Sequence, residues 1–195
     1  MKLYYSPGAC SLAAHIAMHE AGMDLQLVKV DLKGHKLDDG SSFLKINPKG
    51  YVPALQFDDG ELLTENVAIL SFIADKEPKL ALSGHLGRYR LIEMLAYFAA
   101  ELHKAFHPLF VPTSSDAEKK SAAAAVESKL KFVATKFAGP YLFGPHMTVA
   151  DTYLFVMLTW ASSMNLAIPG ELVAFRDRMY ERPSVKLALK HEGLA

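Results

Sequence analysis

The chain contains a single cysteine, Cys10, and its position is the first indication of chemistry. Cys10 follows a short aromatic run and a Ser-Pro-Gly turn, and it precedes an alanine-rich stretch that predicts a helix. A thiol at a helix N-terminus has a lowered pKa, because the free amides and the helix dipole favour the thiolate. Cys10 is therefore either a reactive thiol or a small buried side chain. Ala13 stands where a Cys-x-x-Cys motif needs its second cysteine, which excludes a redox dithiol.

A second group of residues suits an extended peptide ligand. Pro53 opens a predicted strand and makes a cis Val52–Pro53 bond plausible, and Asp58-Asp59-Gly60 predicts a hairpin. Thr64 or Glu65 then opens a predicted helix over 67–75, so that Glu65 and Asn66 stand at its N-terminal end. A strand edge at Val52 beside that helix N-terminus could bind a peptide carboxylate, and Glu65 could bind an ammonium group. The structural alternative is an ordinary hairpin followed by a capped helix.

Histidines and aromatic residues share one face of a later helix. His103, Phe106, His107 and Phe110 have the spacing i, i+3, i+4 and i+7, and such a face suits an apolar electrophile. Trp160 and Met164, four residues apart, could extend the pocket, although plain helix packing explains them better.

Metal binding is the less favoured interpretation of the histidine pairs. His103 with His107, or His15 with His19, could share an ion at a spacing of four residues. Neither pair has a clear third ligand in the sequence. No metal is expected.

Composition restricts the classes of partner. Lys plus Arg and Asp plus Glu both number 21, so the chain has no net charge with which to hold nucleic acid or an anionic membrane. No apolar run reaches about 18 residues and the N-terminus has no leader pattern. A lone cysteine is consistent with a reducing compartment. These features predict a cytoplasmic protein that acts on small molecules.

The order of predicted elements indicates an α/β unit followed by helices. The elements up to residue 78 have the order βαβαββα, in which the second helix is a short helix or irregular arm over 34–46. A Pro- and Gly-containing segment then separates a domain at 1–78 from an all-helical domain at 87–195. The predicted helices there cover 88–110, bent or ended near Pro108, and 116–137, with Asp116 as N-cap. Further helices begin after a Thr148–Asp151 capping box and near 171 and 184.

Several motifs together resemble the bacterial glutathione S-transferases of the beta class, over nearly the whole chain. The motifs are Tyr5-Ser6-Pro7-Gly8-Ala9-Cys10-Ser11, Asn47-Pro48-Lys49-Gly50 with Val52-Pro53-Ala54-Leu55, Leu63-Thr64-Glu65, Glu101-Leu102-His103-Lys104 and Thr148-Val149-Ala150-Asp151. The resemblance implies a thioredoxin-like N-terminal domain, an all-helical C-terminal domain and a homodimer with glutathione in the cleft of each subunit.

The resemblance also implies roles for individual residues. Cys10 would lie beside the glutathione sulfur, Val52 before cis-Pro53 would pair with the cysteinyl backbone, and Glu65 with Asn66 would hold the γ-glutamyl end. The remaining contacts with the tripeptide would come from Leu32, His35, Glu101, His103 and Lys104. Two positions depart from the class: His35 replaces a usual lysine, and Ala96 replaces an asparagine that reaches the neighbouring subunit's ligand. The first departure would weaken pairing with a glutathione carboxylate, and the second would weaken anchoring across the dimer. Lys33 or Lys36 could compensate for the missing lysine.

The main functional hypothesis is transfer of the glutathione thiolate to an apolar electrophile. Cys10, Ser11, Tyr5 and His103 are the candidates for stabilising that thiolate. One alternative is a mixed disulfide between Cys10 and glutathione, which would give thiol-transfer or peroxide-reducing activity. Another alternative is a non-catalytic binder of hydrophobic ligands on the same fold.

Overall fold

The computed structural model describes all 195 residues, Met1–Ala195. Its five strands are β1 Lys2–Tyr5, β2 Gln26–Asp31, β3 Lys36–Leu37, β4 Ala54–Gln56 and β5 Leu62–Thr64. Its helices are α1 Ser11–Glu20, α2 Asn66–Lys76, α3 Gly87–Tyr97, α4 His103–Ala105, α5 His107–Phe110, α6 Asp116–Ala134, α7 Val149–Ser163, α8 Gly170–Tyr180 and α9 Pro183–Glu192. Short 3₁₀ turns cover Phe43–Lys45 and Pro78–Leu80, and a π-helical segment covers Phe98–Leu102.

One mixed sheet forms the N-terminal part, with strand order β3-β2-β1-β4-β5. β1 and β2 pair in parallel, with Leu3 opposite Leu27, because α1 crosses over between them. β4 and β5 form the predicted antiparallel hairpin, in which Ala54 pairs with Thr64. The predicted cis bond between Val52 and Pro53 is present. The α/β unit followed by helices therefore confirms the predicted architecture.

The segment 34–46 differs from the predicted short helix. It forms β3, in which Leu37 pairs with Val30 of β2, and then the 3₁₀ turn. His35 and Gly40 have φ values of +49° and +82°, which a helix does not accommodate. Phe43 is the only residue of the turn that is buried, so the segment has no continuous apolar face. The sheet consequently has a fifth strand that the sequence pattern did not predict.

The predicted helix over 88–110 is interrupted rather than continuous. α3 ends at Tyr97, the π-helical segment follows, and α4 and α5 complete the stretch. A π-helical turn contains an extra residue, which changes the direction of the side chains that follow it. Pro108 is in the first turn of α5, where its missing N–H costs little. The interruption therefore lies ahead of Pro108, and the residue periodicity alone did not reveal it.

Ser115, and not Asp116, is the N-cap of α6. Its hydroxyl oxygen accepts a hydrogen bond from the Glu118 amide at 3.3 Å. The Glu118 carboxylate in turn accepts a hydrogen bond from the Ser115 amide at 2.8 Å. Asp116 is instead the first helical residue.

We expect Ser115→Ala to lower the free energy of unfolding by about 1 kcal/mol, the usual cost of losing a serine N-cap. The matched control is Asp116→Ala, which removes a carboxylate one position further on but keeps the cap. Urea unfolding followed by circular dichroism compares the two variants. A larger loss in the Asp116 variant would contradict this assignment.

The sheet and the helices pack around a common apolar core. α7 is its centre, because nearly every residue from Val149 to Trp160 is buried. α1 lies between α7, α2 and α9, and its residues Ser11 to Met18 are all buried. No helix is both long and apolar enough to cross a lipid bilayer. The division into domains at 1–78 and 87–195 stays a prediction.

Candidate active site

A cleft opens between the sheet and the helices that follow it. Its two adjoining cavities share residues from the β1–α1 loop, from the turn before β4, and from the interrupted helix. The residues common to both cavities are Cys10, Tyr51, Val52, His103 and Phe110. The fold thus brings the predicted strand edge, the lone thiol and one of the predicted histidines to one place.

Cys10 lies at the N-cap of α1 and its thiol is neutral. The S–H group donates to the Val52 carbonyl oxygen at 3.3 Å. Burial raises the pKa of the Cys10 thiol to about 12, and the neighbouring amides of Cys10 and Ser11 lower it by less than burial raises it. The expectation of a lowered pKa was therefore wrong. The helix N-terminus is present, but desolvation of the thiolate outweighs its effect.

Val52 presents a free backbone donor beside this thiol. Its amide makes no hydrogen bond within the chain, whereas its carbonyl accepts the hydrogen bond from the Cys10 thiol. The Val52 side chain is buried. An extended ligand backbone could pair with this edge as an added strand does.

Glu65 lies at the N-terminal end of α2 in an uncommon backbone conformation. Its φ is +71°. Its side chain accepts no hydrogen bond from the amides in the first turn of α2, so Glu65 does not cap this helix. The carboxylate accepts hydrogen bonds from Lys49 Nζ at 2.5 Å and from the Tyr51 hydroxyl at 2.9 Å. The Lys49 bond is the main reason that the pKa of Glu65 is lowered. A carboxylate and free amides thus lie side by side, which suits the ammonium and carboxylate of an amino-acid group.

His103 faces the cleft as a neutral imidazole. Burial lowers the pKa of His103 and raises that of Tyr153, whose hydroxyl lies 2.7 Å from His103 Nδ1. We assign the Tyr153 hydroxyl as the donor to Nδ1, which leaves the imidazole proton on Nε2. The ring also packs on Trp160, at 4.9 Å between centroids. His103 is therefore held in place with one N–H still available to a ligand.

Most of the sequence-predicted site residues line the cleft. Asn66 also holds the start of α2 beside the start of α1, because its side-chain amide donates to the Cys10 carbonyl at 3.0 Å. Trp160 Nε1 donates to the Gly8 carbonyl at 2.8 Å and thereby holds the loop before α1. The other predicted residues that line it are Leu32, Pro53, Glu65, Lys104 and His107.

Two candidate donors to a ligand sulfur lie outside the cleft. Tyr5 is buried, with its ring 5.9 Å from the ring of His15. Ser11 is fully buried, and its hydroxyl bonds to the amide and carbonyl of Ser6 at 3.2 and 3.4 Å. Tyr5 is directed into the protein at the end of β1, and Ser11 is directed inward by the first turn of α1. Their assignment as catalytic candidates is not supported by this placement.

Four further predicted residues also lie outside the cavities. The Glu101 carboxylate pairs with Lys129 at 2.6 Å, because the π-helical segment places it on the outer face. His35 Nδ1 lies 3.1 Å from the Gly50 carbonyl oxygen. Phe106 is fully buried in the core, and Met164 packs against that core at the end of α7.

Sequence reasoning missed Tyr51 and Tyr153. Tyr51 lies between two prolines in a predicted turn, and its hydroxyl positions Glu65. Tyr153 lies in an apolar helix, where a buried tyrosine hydroxyl generally requires a partner. The need for a partner could have marked Tyr153 as a candidate, but the sequence does not show that this partner is His103, which is 50 residues away.

Comparisons with known proteins agree with this arrangement. Family models described as the glutathione S-transferase N-terminal and C-terminal domains match residues 8–76 and 97–183. The glutathione S-transferase GstA of Escherichia coli O157:H7 is 46% identical, with both chains covered completely. A solved sphingomonad glutathione S-transferase in complex with glutathione is 48% identical, with a TM-score of 0.93 and complete coverage of both chains. A bacterial beta-class glutathione S-transferase from Sphingomonas chungbukensis is also 48% identical, with a TM-score of 0.91 and complete coverage of both chains.

The two family models together match most of the chain, and the similarity to GstA extends over its full length. The predicted thioredoxin-like domain followed by an all-helical domain is confirmed by the match to both family models and by the structural similarity to the two Sphingomonas-type enzymes over their full length. The chain therefore belongs to the glutathione S-transferase family.

Proposed function

We propose that the cleft binds glutathione as co-substrate and presents its thiolate to an apolar electrophile. The observation that carries this proposal is the convergence of three features on one cleft: the unpaired Val52 amide, the N-terminus of α2 beside Glu65, and the neutral imidazole of His103. Glutathione conjugation is the activity of the family to which the chain belongs. The proposal therefore concerns the role that each residue of the cleft has in this reaction.

Each part of glutathione has a matching group. The cysteinyl backbone pairs with Val52, as a strand pairs with an exposed edge. The γ-glutamyl ammonium binds the Glu65 carboxylate, and its α-carboxylate binds the amides at the start of α2. This pose places the sulfur near Cys10 and His103.

His103 is the residue we assign to thiolate stabilisation. An unperturbed thiol has a pKa of about 8.5, so only a few per cent is ionised at neutral pH. The Nε2–H group of a neutral imidazole stabilises the thiolate without competing for its proton. Tyr5 and Ser11 do not reach this position, and the Cys10 thiol is engaged with Val52.

The electrophile occupies the aromatic side of the cleft. His107 and Phe110 line it from α5, and Trp160 lines it from α7. The Phe110 ring is nearly half exposed and packs edge-on against Trp160 at 5.2 Å. An aromatic acceptor could stack in this position.

Turnover and retention on immobilised glutathione together test the proposal. An activated aryl halide should be conjugated, and the protein should be retained and eluted by free glutathione. Retention without turnover would favour the non-catalytic binder. Failure of both would refute glutathione binding in this cleft.

Cys10→Ala should leave conjugation nearly unchanged. A thiol whose pKa is raised to about 12 is almost entirely protonated at pH 7, so Cys10 contributes little thiolate. The variant is compared with wild type in the aryl halide assay and in a disulfide-reduction assay. Loss of disulfide reduction with conjugation retained would assign a mixed disulfide to Cys10. Loss of conjugation would contradict this prediction and place Cys10 in the transfer reaction itself.

We also propose a homodimer in the cytoplasm. Tyr89 and Phe132 are exposed aromatic residues on α3 and α6, and Tyr97 packs beside Phe132 at 5.1 Å. These helices offer an apolar surface to a second copy. Light scattering coupled to size-exclusion chromatography should give twice the mass of one chain. Phe132→Glu should lower the measured mass toward that of a single chain, because it places a charge on the proposed interface.

A further inference from the structure

Three histidines converge on the side of α1 that faces α9. His15 and His19 come from successive turns of α1, and His191 comes from the last turn of α9. One ring nitrogen from each lies within 4.8 Å of the others. His19 Nε2 and His191 Nδ1 are 3.3 Å apart. The third histidine, which the sequence pattern did not reveal, is 172 residues from its neighbour in this pair.

His15 has a buried nitrogen without a partner. The residue is fully buried, and its Nε2 atom makes no hydrogen bond. A buried ring nitrogen that stays unpaired costs free energy, so native structures rarely leave one. The contact between His19 and His191 gives one nitrogen of each ring a partner, but His15 Nε2 still has none.

Glu192 orients His15 from the other side of its ring. Glu192 Oε1 lies 2.8 Å from His15 Nδ1, and Glu192 is 5% exposed. A carboxylate on the far nitrogen of a histidine is the common second partner of a metal-bound imidazole, because it fixes the tautomer and raises the basicity of the ligating nitrogen. It also supplies a buried negative charge close to the cluster.

Distances and chemistry favour a transition metal ion. Zn²⁺–N bonds of about 2.0–2.1 Å place tetrahedral ligand nitrogens about 3.4 Å apart. The His19–His191 separation already matches this value, and small rotations of these two accessible side chains would bring the set together.

We propose that His15, His19 and His191 form a binding site for a divalent transition metal ion of the Zn²⁺ type. The exposure of His191 leaves a fourth position open to water. Because its ligands come from α1 and α9, the ion would fasten the C-terminal helix to the first helix. The site is separate from the transfer reaction, and no step of that reaction passes through the metal.

The site nevertheless adjoins the cleft through Glu192. Its Oε2 atom accepts a hydrogen bond from the Gly8 amide at 2.8 Å, and the Gly8 carbonyl accepts one from the Trp160 indole N–H. Gly8 lines the cleft. The carboxylate that would orient the metal ligand therefore also holds the loop before Cys10.

The test is a zinc titration of untagged protein that has been treated with a chelator and dialysed. Calorimetry should give one Zn²⁺ per chain, and zinc should raise the melting temperature. His191→Ala removes an exposed ligand without disturbing the core, and it should weaken zinc binding by at least about tenfold, since even the loss of a second-sphere partner costs this much. His19→Ala gives an independent measurement if the first variant does not fold.

The matched control is His85→Ala, which removes an exposed histidine outside the cluster and should bind zinc as wild type does. Co²⁺ provides a second readout, because its visible absorption changes with coordination by imidazole. Wild-type protein that takes up no zinc would overturn the proposal. Uptake of equal affinity in the His191 variant would also overturn it, because the binding would then come from scattered surface histidines.

Discussion

His103→Ala should lower kcat/KM for glutathione conjugation by about tenfold to a hundredfold. A hydrogen bond to a charged group contributes about 1.5–3 kcal/mol, which corresponds to this range of rates. The lost bond is the one from His103 Nε2 to the glutathione thiolate. Because the thiolate loses a donor, the pKa of the bound thiol should rise, and the acid limb of the pH profile should move to higher pH.

The measurement is kcat/KM against pH for wild type, His103→Ala and His103→Gln. Glutamine keeps an N–H donor and should recover part of the activity. His107→Ala is the matched control for the pH profile, since this imidazole lines the same cavity but lacks the Tyr153 contact. It should leave the acid limb in place even if kcat/KM changes through the electrophile site. An unchanged pH profile in the alanine variant would remove His103 from thiolate stabilisation and restrict it to packing on Trp160.

Asp151→Ala should strongly destabilise the fold, and by more than Ser115→Ala does. The Asp151 carboxylate is fully buried and accepts hydrogen bonds from the Leu142 amide at 2.8 Å, the Thr148 amide at 2.7 Å and the Thr148 hydroxyl at 2.8 Å. Burial raises the pKa of Asp151 to about 6, while these donors favour the ionised form. Alanine would leave buried donors without an acceptor, at a cost of about 3 kcal/mol or more.

Thermal and urea unfolding measure this loss. A change of about 3 kcal/mol corresponds to a decrease in melting temperature of about 6–12 °C for a chain of this size. Thr148→Val should cost less, about 0.5–2 kcal/mol, because it removes one donor together with part of the cap. Asp177→Ala, at an exposed position on α8, should change stability by less than about 0.5 kcal/mol. A loss similar to that of the Asp177 variant would contradict a structural role for Asp151.

The hairpin, the cis proline and the start of α7 were predictable because they depend on neighbouring residues. Pro53, Gly60 and the Thr148–Asp151 pair act within a few positions of themselves, so their chemistry is visible in the sequence. β3 was missed because a strand of two residues is defined by its pairing with β2 and not by its own pattern. The interruption of the long helix was missed because the buried residues across it, Leu95, Phe98, Leu102 and Phe106, are three or four positions apart in sequence, as in an uninterrupted α-helix.

The candidate site was predictable in part. Cys10, Val52, Glu65 and His103 were selected by residue type and by motif, and the fold gathers them at one cleft. Tyr5 was selected in the same way but faces the interior.

The protonation state of Cys10 is the clearest example of a property that could not be predicted from the sequence. Its place at a helix N-terminus can be read from the chain, and that place favours a thiolate. Its burial depends on residues distant in sequence, and burial raises the thiol pKa instead.

Sequence alone determined most of the local elements, the family resemblance and the types of residue available for chemistry, because these depend on short-range order along the chain. Tertiary structure decided which of those residues share a surface. It paired His103 with Tyr153, separated Tyr5 from the cleft, and brought His191 to His15 and His19. The physical reason is that desolvation and hydrogen bonding act through space, so the protonation and direction of a side chain follow from packing between distant segments.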